Sequence, residues 1–199
     1  MFRVHHRQDS RLDNFVHKMK GQLFQITGLP RFGSAFMSIM FSLEADCIGI
    51  HEQAATDPAW VQTIENLRDR WQYVADCSTY GYFPKATVSD SIKVYVKKEP
   101  VSSAAECTEK FGYFVDANGF KNIRSYADQW ASEHGALTVD EGQLFRMDTL
   151  EKVWVYCFRG ARQFPSEKVC RLLTMNVQRH EPEKVFSIEN GQRLAKEVF

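Results

Sequence analysis

The chain has 199 residues, of which 44% are hydrophobic and 13% aromatic, and its 25 basic side chains balance 25 acidic ones. This composition excludes a disordered chain and supplies enough apolar material for one domain or two small ones. No apolar run is long enough to span a membrane, and the N-terminus MFRVHHRQDS lacks the apolar segment of a signal peptide. We therefore expect a cytoplasmic protein with no membrane partner.

The first third of the chain has mainly helical spacing. Ser10 with Asp13 resembles a capping box before a packing helix. The apolar positions from Phe36 to Cys47 favour a second helix, although their density also permits a buried strand. Asp57-Pro58 is a typical helix start, and the stripe from Trp60 to Val74 predicts a core-facing helix in preference to a coiled coil. We expect residues 1–84 to form an N-terminal helical region.

The segment SIKVYVKKEP, which begins at Ser91, changes the period to two. One set of alternating side chains is apolar, and the other carries two lysines and a tyrosine. This alternation predicts a strand with one buried face. Two lysines are more than solubility requires, so the exposed face could contact an anion; an edge strand that its lysines protect from aggregation is the simpler alternative.

Two helices are predicted after this strand. Ser103 and Glu106 form a second capping box, and the helix that follows ends near Val115. Residues 116–119 supply a turn, and the stripe from Ile123 to Trp130 predicts the next helix. A hairpin centred on Asn118-Gly119 is an alternative interpretation.

Strand, helix, turn and helix is the order of a ribbon-helix-helix unit. We therefore predict a mostly helical α+β fold with a dimeric ribbon-helix-helix core in residues 85–199, further helices on both sides and a few short strands, including VWVYCF. A single compact domain 1–199 is the alternative division. A lone strand cannot satisfy its own backbone, so the core requires a homodimer.

A two-stranded ribbon fits the major groove of double-stranded DNA, which makes DNA the predicted partner. Its outward side chains would read bases, its inward side chains would form the dimer core, and lysines and helix N-termini would bind phosphates. The predicted base-reading residues are Lys93, Tyr95 and Lys97, and the dimer core is Ile92, Val94 and Val96. The predicted phosphate contacts are Lys85, Lys98, Phe120, Lys121 and Asn122, with a possible second basic loop at Arg159, Arg162 and Lys168.

The segments ITGLPRFGSAFMSIM, DPAWVQTIENL and FRGARQFPSEKVCRLL, taken with the later strand, resemble the AcaB-like regulators of conjugative plasmids and integrative conjugative elements. The resemblance covers roughly residues 25–180 and depends on spacing and a few residues of the first segment, namely Gly28, Leu29, Arg31, Phe32 and Gly33. It implies a DNA-binding transcriptional activator of transfer genes that acts as a homodimer.

No standard catalytic or cofactor motif is present, so the sequence predicts no enzyme, cofactor or metal. His5-His6 is more typical of a solvated pair than of a metal site. His51-Glu52 could supply a base, but nothing in the sequence places a nucleophile or oxyanion donor beside it. The five cysteines lie in apolar contexts typical of reduced core thiols. The alternatives are an adaptor that binds partners through the Trp60 to Val74 helix and a nucleic-acid-processing enzyme.

Overall fold

A computed structural model describes residues 20–52, 59–79 and 81–175. Strands and helices alternate along most of this part of the chain. The strands are β1 (Gln22–Gly28), β2 (Cys47–His51), β3 (Tyr73–Cys77), β4 (Ile92–Lys97) and β5 (Leu137–Asp140). The helices are α1 (Ser34–Phe41), α2 (Trp60–Arg68), α3 (Pro100–Phe111), α4 (Ala117–Glu133), α5 (Glu141–Leu144), α6 (Met147–Phe158) and α7 (Ser166–Thr174).

All five strands belong to one parallel sheet, in the order β2-β3-β1-β4-β5. β1 lies in the middle, paired with β3 from Gln22 to Ile26 and with β4 from Phe24 to Gly28. Helices cover both faces, as parallel sheets require. The molecule therefore has a doubly wound α/β fold, and the predicted ribbon-helix-helix core is wrong: β4 pairs in parallel with two strands of its own chain and not antiparallel with a second copy. The sheet also includes strands on both sides of residue 84.

The two faces of the sheet have separate cores. Phe24 and Ile26 of β1 belong to the larger one, which also contains side chains of α1, α6 and α7. Leu23 lies on the opposite face, in a smaller cluster built with α2. Tyr95 of β4 faces that second side as well and packs against α4. Because strands in the middle of such a sheet are buried on both faces, their side chains need not alternate between apolar and polar.

Several predicted helices are shorter than their apolar stripes. The stripe from Phe36 to Cys47 covers α1 and the first residue of β2, and the stripe from Trp60 to Val74 covers α2 and part of β3. The predicted strand VWVYCF is the helix α6. The two helices predicted after β4 are present as α3 and α4, so the hairpin alternative is wrong. The predicted turn is misplaced as well: α3 ends at Phe111 with Gly112 as its C-cap, and residues 117–119 belong to the first turn of α4.

The second predicted capping box is also wrong. α3 begins at Pro100 with Glu99 as its N-cap, and the Ser103 hydroxyl donates to the carbonyl oxygen of Pro30 instead (2.7 Å). The first predicted helix, with Ser10 and Asp13, and the pair His5-His6 lie outside the described residues. In the described part of the chain, no helix combines the length and apolar character needed to cross a membrane.

Candidate anion-binding site

The carboxyl ends of the parallel strands meet at one edge of the sheet, and β1 and β4 are neighbours there. The chain that leaves β1 passes to one face through α1, whereas the chain that leaves β4 passes towards the face that α4 covers. A crevice forms where neighbouring strands send their connections to opposite faces, and ligands of open α/β sheets bind in that crevice. The loop between β1 and α1 is therefore the expected position of a ligand site in this fold.

This loop, residues 28–34, has glycine at two positions where a side chain would not fit without strain, Gly28 and Gly33. A Cβ atom on Gly28 would lie 2.6 Å from the Val96 carbonyl oxygen. Gly33 has a φ of 97°, and its Cβ would lie 2.9 Å from Cζ of Phe145. Arg31, between them, has a left-handed φ of 69°, which is uncommon for a residue with a side chain. Left-handed residues in such loops turn successive backbone N–H groups towards one concave side, a geometry that binds anions.

Helix α1 begins inside this loop. Its N-cap is Gly33, which offers no side chain to the first turn, and no side-chain cap is formed. Ser34 and Ala35 are nevertheless only 6% and 8% exposed, so little water reaches the first turn. The first four N–H groups of a helix have no partner within it, and they carry the positive end of the helix dipole. A buried start without a cap is therefore suited to an anion.

Two hydrogen bonds fix the direction of the loop peptides. The ammonium group of Lys98 donates to the carbonyl oxygen of Arg31 (3.1 Å), and the hydroxyl of Ser103 donates to that of Pro30 (2.7 Å). In a planar trans peptide the N–H points opposite to the C=O. The N–H groups of Arg31 and Phe32 therefore point away from Lys98 and Ser103.

A carboxylate lies beside this loop. Glu52, directly after β2, has a left-handed φ of 55°. Its Oε1 accepts hydrogen bonds from the hydroxyls of Ser34 (3.0 Å) and Thr79 (2.6 Å), and its Oε2 accepts from the Thr79 N–H (3.1 Å). Strained backbone persists where surrounding contacts hold it and is concentrated at functional sites. Glu52 is thus fixed next to the first turn of α1.

Two further titratable groups lie near the same edge. Asp76, on β3, is 1% exposed, and burial raises its pKa to about 7, although the hydroxyl of Ser78 opposes this shift by donating to Oδ1 (2.5 Å). Burial lowers the pKa of His51, while the carboxylate of Glu52 acts in the opposite direction. Perturbed groups of this kind are concentrated at functional sites. Among the described residues, no three His, Cys, Asp or Glu side chains are arranged to hold a metal ion.

The residues predicted to read DNA bases do not form an exposed row. Lys93 is 5% exposed and Tyr95 is 1% exposed, both within β4, and only Lys97 at the end of the strand is half-buried. The predicted dimer core of Ile92, Val94 and Val96 is buried by the chain's own sheet and helices. The ribbon that was to carry these side chains into a groove is absent from the described fold, because β4 lies between β1 and β5.

The predicted phosphate contacts are dispersed. Lys85 is exposed in the connection from β3 to β4, and Lys121 and Asn122 are exposed near the start of α4, next to the half-buried Phe120. Lys98 is the exception, because it reaches the loop after β1, but its side chain is fully buried.

The second basic loop is divided in a similar way. Arg159 is exposed at the end of α6, while Arg162 pairs with Asp46 and lies over the ring of Tyr73. Lys168 is half-buried on α7. The structure brings none of these three residues to the carboxyl edge.

Comparison with protein-family models, with curated proteins and with solved structures found no match to this chain. The resemblance to AcaB-like regulators stays a prediction, as do DNA binding and a homodimer. The segment that carried the resemblance, from Gly28 to Gly33, is the loop that leads into α1.

The sequence indicated two parts of this site, but it did not show that they lie next to each other. These parts are the segment Gly28 to Gly33 and the pair His51-Glu52. The strand order that brings them together cannot be read from the sequence. Ser34, Thr79 and Asp76 were missed. The available signal was a glycine pair five residues apart between an apolar run and a helical stripe, which is typical of a turn from a parallel strand into a helix.

Proposed function

We propose that this protein binds a small molecule bearing a phosphate or sulfate ester, and that the ester group sits at the loop of residues 28–34. The observation that carries the proposal is the buried, uncapped start of α1 directly after the central strand, at the carboxyl edge of the sheet, which is the edge where α/β proteins bind their ligands. Arg31 belongs to the same loop, and its full positive charge would favour an anion there. The expected ligand is of nucleotide type, because this fold class commonly binds nucleotides by their phosphates.

The loop differs from the common triphosphate-binding motif G-x-x-x-x-G-K-[ST]. The two glycines have the same spacing, but Ser34 stands where that motif has lysine and Ala35 where it has a hydroxyl residue. The lysine of that motif contacts the outer phosphates and the hydroxyl binds Mg²⁺. Binding here would depend on backbone N–H groups and Arg31, and we expect it to be independent of Mg²⁺.

Glu52 gives this site a chemical capability besides binding. Its carboxylate contacts Ser34 in the first turn of α1, so it would lie close to a bound ester group. If a second substrate presents a hydroxyl there, Glu52 can accept its proton while the hydroxyl oxygen attacks the phosphorus or sulfur atom. The bond from that atom to the ester oxygen breaks, and the leaving group retains the electron pair. Transfer of a phosphoryl or sulfuryl group is the reaction class that the site favours.

Calorimetric titration with AMP, inorganic phosphate and sulfate tests the binding. We expect AMP to bind with and without Mg²⁺, and Arg31→Ala to weaken it at least about 10-fold, the order expected when a charged contact is lost. Arg70→Ala, an exposed arginine beyond the end of α2, is the matched control and should bind like wild type. Absence of binding by all three probes at millimolar concentration would refute the proposal, as would an Arg31→Ala variant that binds normally.

Glu52→Gln separates binding from transfer. The amide keeps an acceptor for Ser34 and Thr79 but removes a negative charge beside the ligand, so we expect AMP to bind several-fold more tightly. In any transfer reaction found for the protein, the same variant should lose activity because it cannot accept the proton. Weaker binding of AMP by Glu52→Gln would show that the carboxylate does not face the ligand.

A further inference from the structure

Three large aromatic side chains are exposed together where α3 ends. Phe111 is 55% exposed, Tyr113 63% and Phe114 82%, the highest value among the exposed large hydrophobic side chains of the described residues. The rings of Phe111 and Tyr113 are stacked, with their centroids 5.8 Å apart. We name Phe111, Tyr113 and Phe114 the aromatic tip. Single exposed apolar residues are common, but a contiguous apolar cluster on a protein surface indicates an interaction site.

Hydrogen bonds hold the turn that carries the aromatic tip in a defined shape. The N–H of Gly112, the left-handed C-cap of α3, donates to the Thr108 carbonyl oxygen (2.9 Å), and the N–H of Val115 donates to the Thr108 hydroxyl (3.0 Å). The side chain of Asp116 caps α4 by accepting from the N–H of Asn118 (3.0 Å). The exposed rings are therefore presented by an ordered turn, which reduces the entropy that is lost when they bind.

The aromatic tip projects beyond the carboxyl edge of the sheet. Arg124 of α4 donates to the carbonyl oxygen of Lys98, the residue after β4 (2.9 Å). Helix α4 begins at Ala117, seven residues before Arg124, which places its start about 10 Å further along the helix axis. A Cβ atom added to Gly112 or to Gly119 would meet nothing within 4 Å. The tip is therefore a convex projection with open space around its backbone.

The size of the aromatic tip argues against a second copy of this chain as its partner. Burial of the exposed parts of its three side chains would remove roughly 400 Å² from water. A stable protein complex buries about 800 Å² on each partner, with surfaces of matching shape. A bilayer interface sets no such requirement, because its affinity for a protein surface rises with the apolar area that is buried.

The charges around the aromatic tip balance. The charged residues of the segment 108–121 are two of each sign, Lys110, Lys121, Glu109 and Asp116. The next cation on α4, Arg124, is paired with Glu99 and Asp128. The tip therefore offers no net charge to a polyanion or to an anionic surface. Its rings suit the interface of an uncharged bilayer, where an aromatic ring can be buried while a tyrosine hydroxyl stays in water.

We propose that the aromatic tip inserts into the interface of a lipid bilayer, so that the protein attaches reversibly to membranes without net surface charge. We expect weak binding, similar to that of a single acyl chain. This inference replaces the expectation of no membrane partner, which considered only membrane-spanning and signal segments. It is independent of the proposed ligand site.

Co-sedimentation of the full chain with phosphatidylcholine vesicles tests the proposal. We expect wild type to bind equally, within about 2-fold, at about 0.1 M and about 0.5 M NaCl, because no net charge is involved. Phe114→Ser should weaken binding at least about 5-fold, since it removes the most exposed ring. Replacement of all three aromatic residues by serine should abolish binding. Val101→Ser is the matched control, because Val101 is 65% exposed in the first turn of α3, and it should bind like wild type.

Several results would overturn insertion of the aromatic tip. They are absence of wild-type binding at millimolar lipid, normal binding by the triple variant, and binding that requires phosphatidylserine and is lost at high salt. A wild-type dimer that the triple variant converts to a monomer, in equilibrium sedimentation without lipid, would show that a second copy covers the rings. Thermal unfolding of each variant checks its fold, and if the triple variant does not fold, the comparison of Phe114→Ser with Val101→Ser decides the outcome.

Discussion

Buried charged side chains have different surroundings at the amino and carboxyl edges of the sheet. At the amino edge, Arg68 donates to the Gly21 carbonyl oxygen (2.8 Å) and forms ion pairs with Asp90 (2.6 Å) and Glu65 (3.0 Å). Lys93 donates to the carbonyl oxygens of Val88 (2.9 Å), Ser91 (3.1 Å) and Ser89 (3.4 Å). Each of these cations ties neighbouring loops to the sheet and has several partners within the chain.

At the carboxyl edge the charges are not balanced. Asp76 is buried with one hydroxyl as its main partner, Glu52 is held on left-handed backbone, and Lys98 faces two carboxylates. Proteins break local rules of this kind at functional sites and compensate for the cost elsewhere. The amino edge therefore stabilises the fold, whereas the carboxyl edge keeps unfavourable charge placements, at which we have proposed a ligand.

The largest loss of stability is expected when Arg68, the buried arginine of the amino edge, is replaced. Arg68→Met keeps the volume of a side chain that is 7% exposed but leaves Gly21, Glu65 and Asp90 without their common partner. We expect the free energy of unfolding to fall by about 3 kcal/mol, the low end for a broken buried ion pair, because the Asp90 carboxylate is 60% exposed and can be hydrated. Urea denaturation measures it, and Arg70→Met in the following turn should change stability by less than about 0.5 kcal/mol. If the Arg68→Met variant that remains folded binds AMP as wild type does, then the amino edge contributes to stability and not to ligand binding.

The second prediction is a gain of stability, which we expect when Asp76 at the carboxyl edge is replaced. Because the folded state raises the pKa of Asp76 from 3.8 to about 7, the folded protein holds this proton more tightly than the unfolded chain. Wild type should therefore lose stability as the pH rises from about 4 to about 7. Asp76→Asn has no such proton, so we expect it to be about 2–3 kcal/mol more stable than wild type above pH 7 and to have no advantage near pH 4. Urea denaturation at several pH values checks this, and an asparagine variant that is less stable at pH 8 would contradict it.

The smallest effect is expected at Lys93. Its ammonium binds three carbonyl oxygens, but burial lowers its pKa, so part of the hydrogen-bonding gain is offset by lost hydration. Lys93→Met should lower the free energy of unfolding by only about 1 kcal/mol, since the freed carbonyls of this partly exposed loop can bind water. A loss above about 3 kcal/mol in urea denaturation would place Lys93 with Arg68 as a main support of the amino edge.

The sequence predicted local structure better than the arrangement of the elements. The alternation in SIKVYVK correctly placed β4, and two helices follow it as predicted, but Asp116 to Gly119 form the N-cap and first turn of α4 and not the predicted turn, since the break after α3 begins at Gly112. The alternation also led to the prediction that one face of β4 is exposed to solvent. This prediction is wrong, because both faces of β4 are covered. Lys93 and Tyr95 are polar at their tips yet long enough to bury their stems, so a period of two does not identify the exposed side.

The missed strands have a physical cause. β1, β2 and β3 are short strands buried on both faces, and short, mostly apolar segments of this kind match helical and strand spacing equally well. Continuous stripes such as Trp60 to Val74 therefore conceal a helix followed by a strand. The candidate site was beyond sequence reasoning for a related reason: Gly33 and Glu52 become neighbours only through the order β2-β3-β1, which is a long-range property of the sheet.

The central position of β1 also constrains how the chain is synthesised and folded. Gly28 pairs with Val96, roughly 70 residues later, and β3 on the other side also follows a helix and a strand. At translation rates of about 5–20 residues per second, β1 leaves the ribosome several seconds before β4 is available. During that interval the segment LFQITG has neither of its partner strands, so its backbone groups and apolar side chains stay without their native contacts until β3 and β4 follow.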